Sequence, residues 1–253
     1  MVPEPDRACS AYWVESGPVK TLLDCGPGSL QAMARLRLPW QSITDLVLTH
    51  FHADHTGAVP ALMFALTWGL LPDRRSSPLH VHGPPGTRHF FEAAAAAFGP
   101  FMLDPGFEVR IHEGRSPGPF RLAGGVKLSF HPTPHTDESR AVRVELAGGT
   151  ICYTGDTGPS ESLAGFCSAS DLLVAECSLP DSHAIDTHLS PRSVAALAEA
   201  ADPGCLLLTH VYPQFRAAAD VPALVRDAGW KGETRIAVEG WERSFESRNR
   251  IGS

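Results

Sequence analysis

The sequence predicts an α/β fold in which short buried strands alternate with helices. One observation is the repeated order of a short apolar run and a helix pattern along 253 residues, 43% of which are hydrophobic. Open α/β sheets carry their chemistry at strand ends. In a sheet sandwich with its helices outside, we therefore expect the polar residues that end the strands to meet at one rim. These residues, mostly flanked by Gly, Thr or Pro, are Asp24, His50, His135, Asp156, Glu176 and His210.

The first half of the chain is predicted to form a hairpin, two further strands and three helices. The hairpin pairs residues 11–14 with 19–23 through a turn at 15–18. Thr87 is expected to cap the third helix. The other elements are a helix at 29–36, a buried strand at 43–48, an apolar helix at 57–71, a strand at 79–82 and a helix at 88–98.

The second half is predicted to be richer in strands. Ser190 and Pro191 have the residue types of an N-cap and a first helical position, so a helix is expected from there to Ala201. The tail at 244–253 is expected to be frayed, and residues 1–253 to form a single domain. The other predicted elements are strands at 108–112, 121–122 and 126–130, a hairpin of 141–146 with 150–153, strands at 172–175, 205–208 and 234–238, and a helix at 221–228.

Three histidines and an aspartate lie within six positions, directly after the strand at 43–48. Burying four desolvated polar groups beside an apolar helix costs several kcal/mol unless they have partners, and a divalent cation would supply them. His50 and His52 are two residues apart and could project together from an extended turn, whereas Asp54 and His55 are adjacent and diverge. This spacing suits two metal ions better than one.

Composition narrows the functional classes. The formal net charge of −7 argues against a broad nucleic-acid surface, which needs clustered Lys and Arg. The six cysteines form no C-x-x-C pair, so we interpret them as reduced, buried thiols of a cytoplasmic protein. The N-terminus has no signal-peptide pattern, and the apolar helix at 57–71 contains Pro60 and is short for a membrane span.

The segment His50-Phe51-His52-Ala53-Asp54-His55 resembles the H-x-H-x-D-H signature of the metallo-β-lactamase superfamily. The resemblance implies a four-layer αββα sandwich with two divalent metals, most often zinc, although the ligand types also suit manganese or iron. One metal would be bound by His50, His52 and His135, and the other by Asp54, His55 and His210. Asp156 would bridge the two metals, and Asp24 would orient a ligand or the bridging water.

Within the superfamily, the chain is most similar to the ribonuclease Z-like phosphodiesterases. The similarity rests on Tyr153-Thr154-Gly155-Asp156-Thr157, Glu176-Cys177-Ser178 and His188-Leu189-Ser190. It implies that His188, backed by Glu176, protonates or stabilises the leaving group. Asp54 is expected to be a catalytic residue as well as a metal ligand. His183 is the rival for the role of His188.

Two departures from the family pattern bear on the substrate. Only about fifty residues separate Gly83 from His135, and Ser116-Pro117-Gly118-Pro119 is too short to be the arm of the transfer-RNA-processing members. An N-terminal edge strand is also expected to be missing. We therefore expect a phosphodiesterase that uses a metal-bridging hydroxide on small or nucleotide-like diesters, with a homodimer as one expected state.

The same candidate residues are also compatible with other functions. The alternative reading is a lactone, thioester or aryl sulfate ester hydrolase. The less favoured readings are a transfer RNA 3′-processing endonuclease and a non-hydrolytic metal-binding protein.

Overall fold

The computed structural model describes residues 4–114 and 119–246. Most of the 116–119 segment and residues 247–253 of the predicted tail therefore lie outside the described residues. The chain divides into two compact units, Val2–Pro117 and Gly118–Ser253, called here the N-terminal and the C-terminal unit.

The N-terminal unit contains a five-stranded sheet in the order β1-β2-β3-β4-β5. Strands β1 and β2 form the predicted hairpin and are antiparallel, and the other neighbours are parallel. The strands are β1 (Tyr12–Ser16), β2 (Val19–Leu23), β3 (Asp45–Val47), β4 (Leu79–Gly83) and β5 (Val109–Glu113), and the helices are α1 (Ser29–Arg35), α2 (Ala53–Thr56), α3 (Val59–Trp68) and α4 (Thr87–Phe98).

The C-terminal unit contains a seven-stranded mixed sheet in the order β12-β11-β10-β9-β8-β7-β6. Strands β9 to β12 are parallel and β6 to β9 antiparallel, because the chain returns through hairpins first and through helices later. The strands are β6 (Phe120–Arg121), β7 (Lys127–Pro132), β8 (Arg140–Glu145), β9 (Thr150–Tyr153), β10 (Leu172–Glu176), β11 (Leu206–Thr209) and β12 (Thr234–Ile236), and the helices are α5 (Glu161–Cys167), α6 (Pro191–Ala201), α7 (Pro213–Ala218) and α8 (Val221–Asp227).

Each unit buries helices against one face of its own sheet. In the N-terminal unit, Leu46 of β3 and Val81 of β4 share a core cluster with Leu62 of α3. In the C-terminal unit, Leu173 and Leu208 share a core cluster with Val194 of α6. Burying such side chains stabilises the fold by about 1.5–3 kcal/mol each. The rigid core holds the strand ends that carry the polar residues.

The predicted helix at 57–71 is wrong in its bounds. The chain forms α2 from Ala53 to Thr56 and then a separate helix, α3, from Val59. The break occurs because Pro60 has no N–H to donate to the carbonyl of Thr56, and its ring would clash with that carbonyl. As a result, Asp54 and His55 lie on a helical turn of their own.

The predicted cap of α4 is also wrong. Gly86, with φ of 99°, is the N-cap, and Thr87 is the first helical residue. The Thr87 hydroxyl instead donates to the carbonyl of Pro84 at 2.7 Å. Only glycine adopts this left-handed backbone without strain, so the Gly-Pro-Pro-Gly turn determines where the helix begins.

Two short helices, α5 and α7, were not predicted. The N-cap Ser160 accepts from the N–H of Leu163, and α7 has Pro213 in its first turn. Helices of six or seven residues form through packing rather than through propensity. In the described residues, no helix has the length and apolarity needed to cross a membrane.

Candidate metal centre

The turn after β3 in the N-terminal unit brings four potential metal ligands together. The ring centroids of His50 and His52 are 4.8 Å apart, and those of His50 and His55 are 4.2 Å apart. Nε2 of His55 is 3.7 Å from Oδ2 of Asp54. His50 and His55 are buried, whereas His52 is exposed and Asp54 half-buried. The cluster therefore has a buried base and an open side.

Asp24 holds two of these imidazoles from the end of β2. Its Oδ2 accepts a hydrogen bond from Nδ1 of His55 at 2.7 Å. Its Oδ1 accepts the backbone N–H of Thr49 at 2.8 Å, and its carboxylate also accepts the Thr49 hydroxyl. The Thr49 oxygen, 3.1 Å from Nδ1 of His50, is left to accept from that nitrogen. Both histidines thus have a protonated Nδ1 and, in the neutral ring, a lone pair on Nε2.

The C-terminal unit contains a group of its own around Asp156, which follows β9. Oδ2 of Asp156 is 3.3 Å from Nε2 of His210 and 3.8 Å from Nε2 of His135. Nδ1 of His135 donates to the carbonyl of Thr187 at 3.0 Å. In both rings, His135 and His210, Nε2 is the nitrogen that faces the carboxylate of Asp156.

The spacing of these ligand atoms fits a divalent metal. Tetrahedral zinc with bonds of about 2.0–2.2 Å places neighbouring ligand atoms roughly 3.3 Å apart. The distance of 3.3 Å between His210 Nε2 and Asp156 Oδ2 matches that spacing. Imidazole nitrogens and carboxylate oxygens, each oriented by a second hydrogen bond, are also the usual zinc environment.

Glu176 is fully buried at the end of β10 and accepts four hydrogen bonds. Oε1 accepts from Nδ1 of His188 at 2.9 Å and from the N–H of Thr157 at 2.7 Å. Oε2 accepts from the hydroxyl of Ser178 at 2.5 Å and from the N–H of Leu189 at 3.2 Å. Atoms of Glu176, His188 and His210 lie within 4.8 Å of one another. Because the carboxylate is saturated by donors, we interpret it as orienting His188 rather than binding metal.

The two histidines considered for the leaving group differ sharply. His188 is half-buried, and its ring stacks on that of His210 at 5.6 Å. Burial by itself lowers the pKa of His188, but its hydrogen bond to Glu176 and the nearby carboxylate charges outweigh burial and raise that pKa. His183 is exposed, and its Nδ1 lies 2.9 Å from the hydroxyl of the neighbouring Ser182. The geometry favours His188.

Two residues at the strand ends have unusual backbones. Asp24 and His210 have φ of 57° and 54°, in the left-handed region that non-glycine residues seldom adopt. Such conformations cost about 1–3 kcal/mol and persist where the surroundings over-determine them. They aim these two side chains in directions that an ordinary strand end would not permit.

Sequence reasoning did not assign roles to the hydroxyls of Thr49 and Ser178. Each lies next to a predicted site residue or two residues from one, but each also has a distant partner, Asp24 at 25 positions from Thr49 and His210 at 32 positions from Ser178. The two cysteines beside acidic site residues are buried thiols. Burial raises the pKa of Cys25 to about 12 and also raises the pKa of Cys177, so both stay protonated near neutral pH.

Gly158 allows the segment that carries His188 to approach. Its N–H donates to the carbonyl of Pro134 at 2.8 Å, and a Cβ at this position would overlap the carbonyl oxygen of Asp186. We expect Gly158→Ala to displace this segment and lower the free energy of unfolding by about 1–3 kcal/mol, as measured by denaturant titration. The matched control is Gly165→Ala in α5, where a Cβ meets nothing within 4 Å. Equal losses in the two variants would refute the argument.

Comparison with known proteins identifies the family. Residues 20–211 match the model of the beta-lactamase superfamily domain. The chain belongs to the metallo-β-lactamase superfamily. It is 31% identical over 236 residues to a ribonuclease Z of Mycobacterium bovis, covering 84% of this chain and 82% of that protein. A ribonuclease Z of Haloferax volcanii is 27% identical, covering 94% of this chain and 90% of the relative.

Solved structures agree on the fold. The metallo-β-lactamase fold protein YhfI of Bacillus subtilis matches with a TM-score of 0.81 and 25% identity over 94% of this chain and 93% of that chain. The short form of human tRNase Z matches with a TM-score of 0.73 and 22% identity, covering 97% of this chain and 96% of that one. The predicted fold class is confirmed as mixed α/β with two sheets and helices.

These comparisons confirm the predicted superfamily and its ribonuclease Z-like branch. This metallo-β-lactamase family member is a metal-dependent hydrolase, and its fold implies binding of divalent metal.

Proposed function

We propose that this hydrolase is a phosphodiesterase with two metals that acts on small or nucleotide-like diesters. The observation that carries the proposal is the hydrogen bond between the buried Glu176 and the half-buried His188, whose ring stacks on that of His210. A histidine held by a carboxylate beside a metal ligand can donate a proton to a departing alkoxide. Thioesters and aryl sulfate esters, which release a thiolate or a phenolate, make a weaker demand for such a donor.

We propose that the two units act as one hydrolase domain whose ligands combine. Asp156 would bridge the metals, and zinc is preferred because family members usually bind it. Asp24 would keep His55 oriented. Asp54 would bind metal and also act as a catalytic residue. The proposed ligands of one metal are His50, His52 and His135, and those of the other are Asp54, His55 and His210.

The residues of the chain then have defined tasks. Divalent metals held by these residues would lower the pKa of a coordinated water and neutralise charge on the phosphate. Nδ1 of His188 stays bonded to Glu176, so Nε2 is the atom that delivers a proton to the leaving oxygen. Burial of Glu176 keeps water from competing for that hydrogen bond, which holds the ring in position for proton transfer.

The net charge of the chain and the length of the segment between Gly83 and His135 limit the size of the substrate. Formal charge of −7 disfavours a long polyanion. The described part of the segment between Gly83 and His135 forms α4 and β5 to β7. Both observations favour short diesters over a folded RNA.

A substrate panel tests the proposal. Protein loaded with zinc or manganese is assayed on bis-p-nitrophenyl phosphate, cyclic nucleotides, aryl sulfates, lactones and thioesters. We expect the highest kcat/KM on a phosphodiester. Turnover confined to sulfates, lactones or thioesters would refute the phosphodiesterase and support the alternative hydrolase.

A second candidate is a transfer RNA 3′-processing endonuclease, favoured by the curated relatives, which are named ribonuclease Z. A precursor transfer RNA with a 3′ trailer, assayed beside the small diesters, separates the two. A higher kcat/KM on the precursor than on the small diesters would support the endonuclease and refute the proposal of a small substrate.

A further inference from the structure

Ser178 lies between the carboxylate of Glu176 and the imidazole of His210. Its hydroxyl is 2.5 Å from Oε2 of Glu176 and 2.8 Å from Nδ1 of His210. A carboxylate only accepts, so the hydroxyl proton points to Glu176. The Ser178 oxygen must then accept the proton on Nδ1 of His210. Its 3.4 Å distance to Nδ1 of His188 is secondary, since that nitrogen donates to Glu176 at 2.9 Å.

The backbone keeps Ser178 in this position. Its N–H donates to the carbonyl of Leu189 at 3.0 Å, and its own carbonyl accepts from the N–H of Tyr212 at 3.3 Å. Ser178 thereby joins the segment after β10 to those that follow His188 and His210. The side chain is fully buried, so water does not replace the hydroxyl.

The N-terminal unit uses the same arrangement independently. There Asp24 bonds directly to His55 and reaches His50 through the hydroxyl of Thr49. In the C-terminal unit Glu176 bonds directly to one histidine and reaches another through a hydroxyl. In each unit a buried carboxylate acts through a hydroxyl on Nδ1 of one histidine, His50 or His210, and leaves Nε2 of that ring with the lone pair.

We propose that Ser178 is a positioning residue that fixes the His210 tautomer with Nε2 available for metal, so that Glu176 orients both His188 and His210. The inference rests on the proposed metal-ligand role of His210. Partners of this kind change metal affinity by about 10- to 100-fold when removed. Loss of the hydroxyl therefore weakens the metal bound by His210 while the ring itself remains.

The test uses Ser178→Ala in the full chain, with two readouts made without substrate. Competition with a chromophoric chelator measures the Kd of each zinc, and ¹⁵N NMR of histidine-labelled, metal-free protein reports the His210 tautomer. We expect the Kd of one zinc to rise about 10- to 100-fold and His210 to lose its single Nδ1–H form. Unchanged affinities together with an unchanged tautomer would overturn the inference.

Ser182→Ala is the matched control, because it also removes a serine hydroxyl bonded to a histidine Nδ1, but on the exposed His183. It is expected to leave both readouts unchanged, and an equal effect would overturn the inference. If Ser178→Ala does not fold, Ser178→Thr and Ser178→Val replace it. Their shapes match and only Thr keeps the hydroxyl, so equal zinc affinities in this pair would also refute the role.

These readouts separate this inference from the proposed function. A tautomer and affinity change without phosphodiesterase turnover supports Ser178 and refutes the substrate class. Turnover of diesters, with the tautomer and the zinc affinities unchanged in Ser178→Ala, supports the substrate class and refutes the role of Ser178.

Discussion

Replacing His188 by alanine is expected to lower kcat by about 10²- to 10⁴-fold for diesters with alkoxide leaving groups. The physical reason is that an alkoxide is a poor leaving group until it is protonated. The imidazole held by Glu176 at 2.9 Å is the group oriented to supply the proton. KM and metal content should stay near the wild-type values, because the substitution removes an interaction made in the transition state. Steady-state kinetics and metal analysis measure all three quantities.

Two comparisons make this prediction specific. The loss should be much smaller for bis-p-nitrophenyl phosphate, since p-nitrophenolate departs without a proton. His183→Ala, at an exposed position of the same segment, should leave kcat near wild type. Equal losses on both substrates, or a loss in His183→Ala instead, would remove the proton-donor role from His188.

The pH dependence of activity also tests whether His188 is the proton donor. Burial by itself lowers the pKa of His188, but the hydrogen bond and the charge of Glu176 raise that pKa above its usual value. A proton donor with a raised pKa is competent below that pKa and is lost as the pH rises through it. Activity on alkoxide substrates should therefore fall on the alkaline side, and His188→Ala should lack that descent.

The second large effect is expected from Asp156→Asn. Oδ2 of Asp156 faces Nε2 of His210 and of His135 at 3.3 Å and 3.8 Å. In the proposed site the charge of Asp156 would hold the metal ions, and a neutral amide cannot supply that charge. Metal catalysis is worth several kcal/mol, so kcat/KM should fall by roughly 10³-fold or more. Elemental analysis should show less than the wild-type metal content.

The control for this variant is Asp186→Asn, which changes the same group at an exposed position. Asp186→Asn should keep its metal and its activity. Ligands that bind the folded state raise its apparent stability, so added zinc should raise the Tm of the wild type and of Asp186→Asn more than that of Asp156→Asn. An Asp156→Asn protein with full metal content would show that this carboxylate is not a ligand.

Local sequence patterns were sufficient to predict most of the helices and strands and to select the candidate site residues. The strand predicted at 43–48 forms β3 at Asp45–Val47, and the helix predicted from Pro191 to Ala201 is α6 with Ser190 as its N-cap. These predictions succeed because the signals are contained in the segments themselves, as an apolar run or a capping residue. The separate helix α2 was not predicted, and the bounds of α3 and the N-cap of α4 were predicted wrongly, where a proline or a glycine competed with the apolar pattern.

The sequence by itself determined the α/β class, the superfamily and the chemical types of the candidate ligands, because these depend on residue identity and spacing. Only the tertiary structure decided which nitrogen of each histidine is bound and by what. The hydroxyls of Thr49 and Ser178 meet partners far along the chain, at Asp24 and His210. Hydrogen bonds need donors and acceptors within about 3 Å at the right angle, and that geometry exists only after folding.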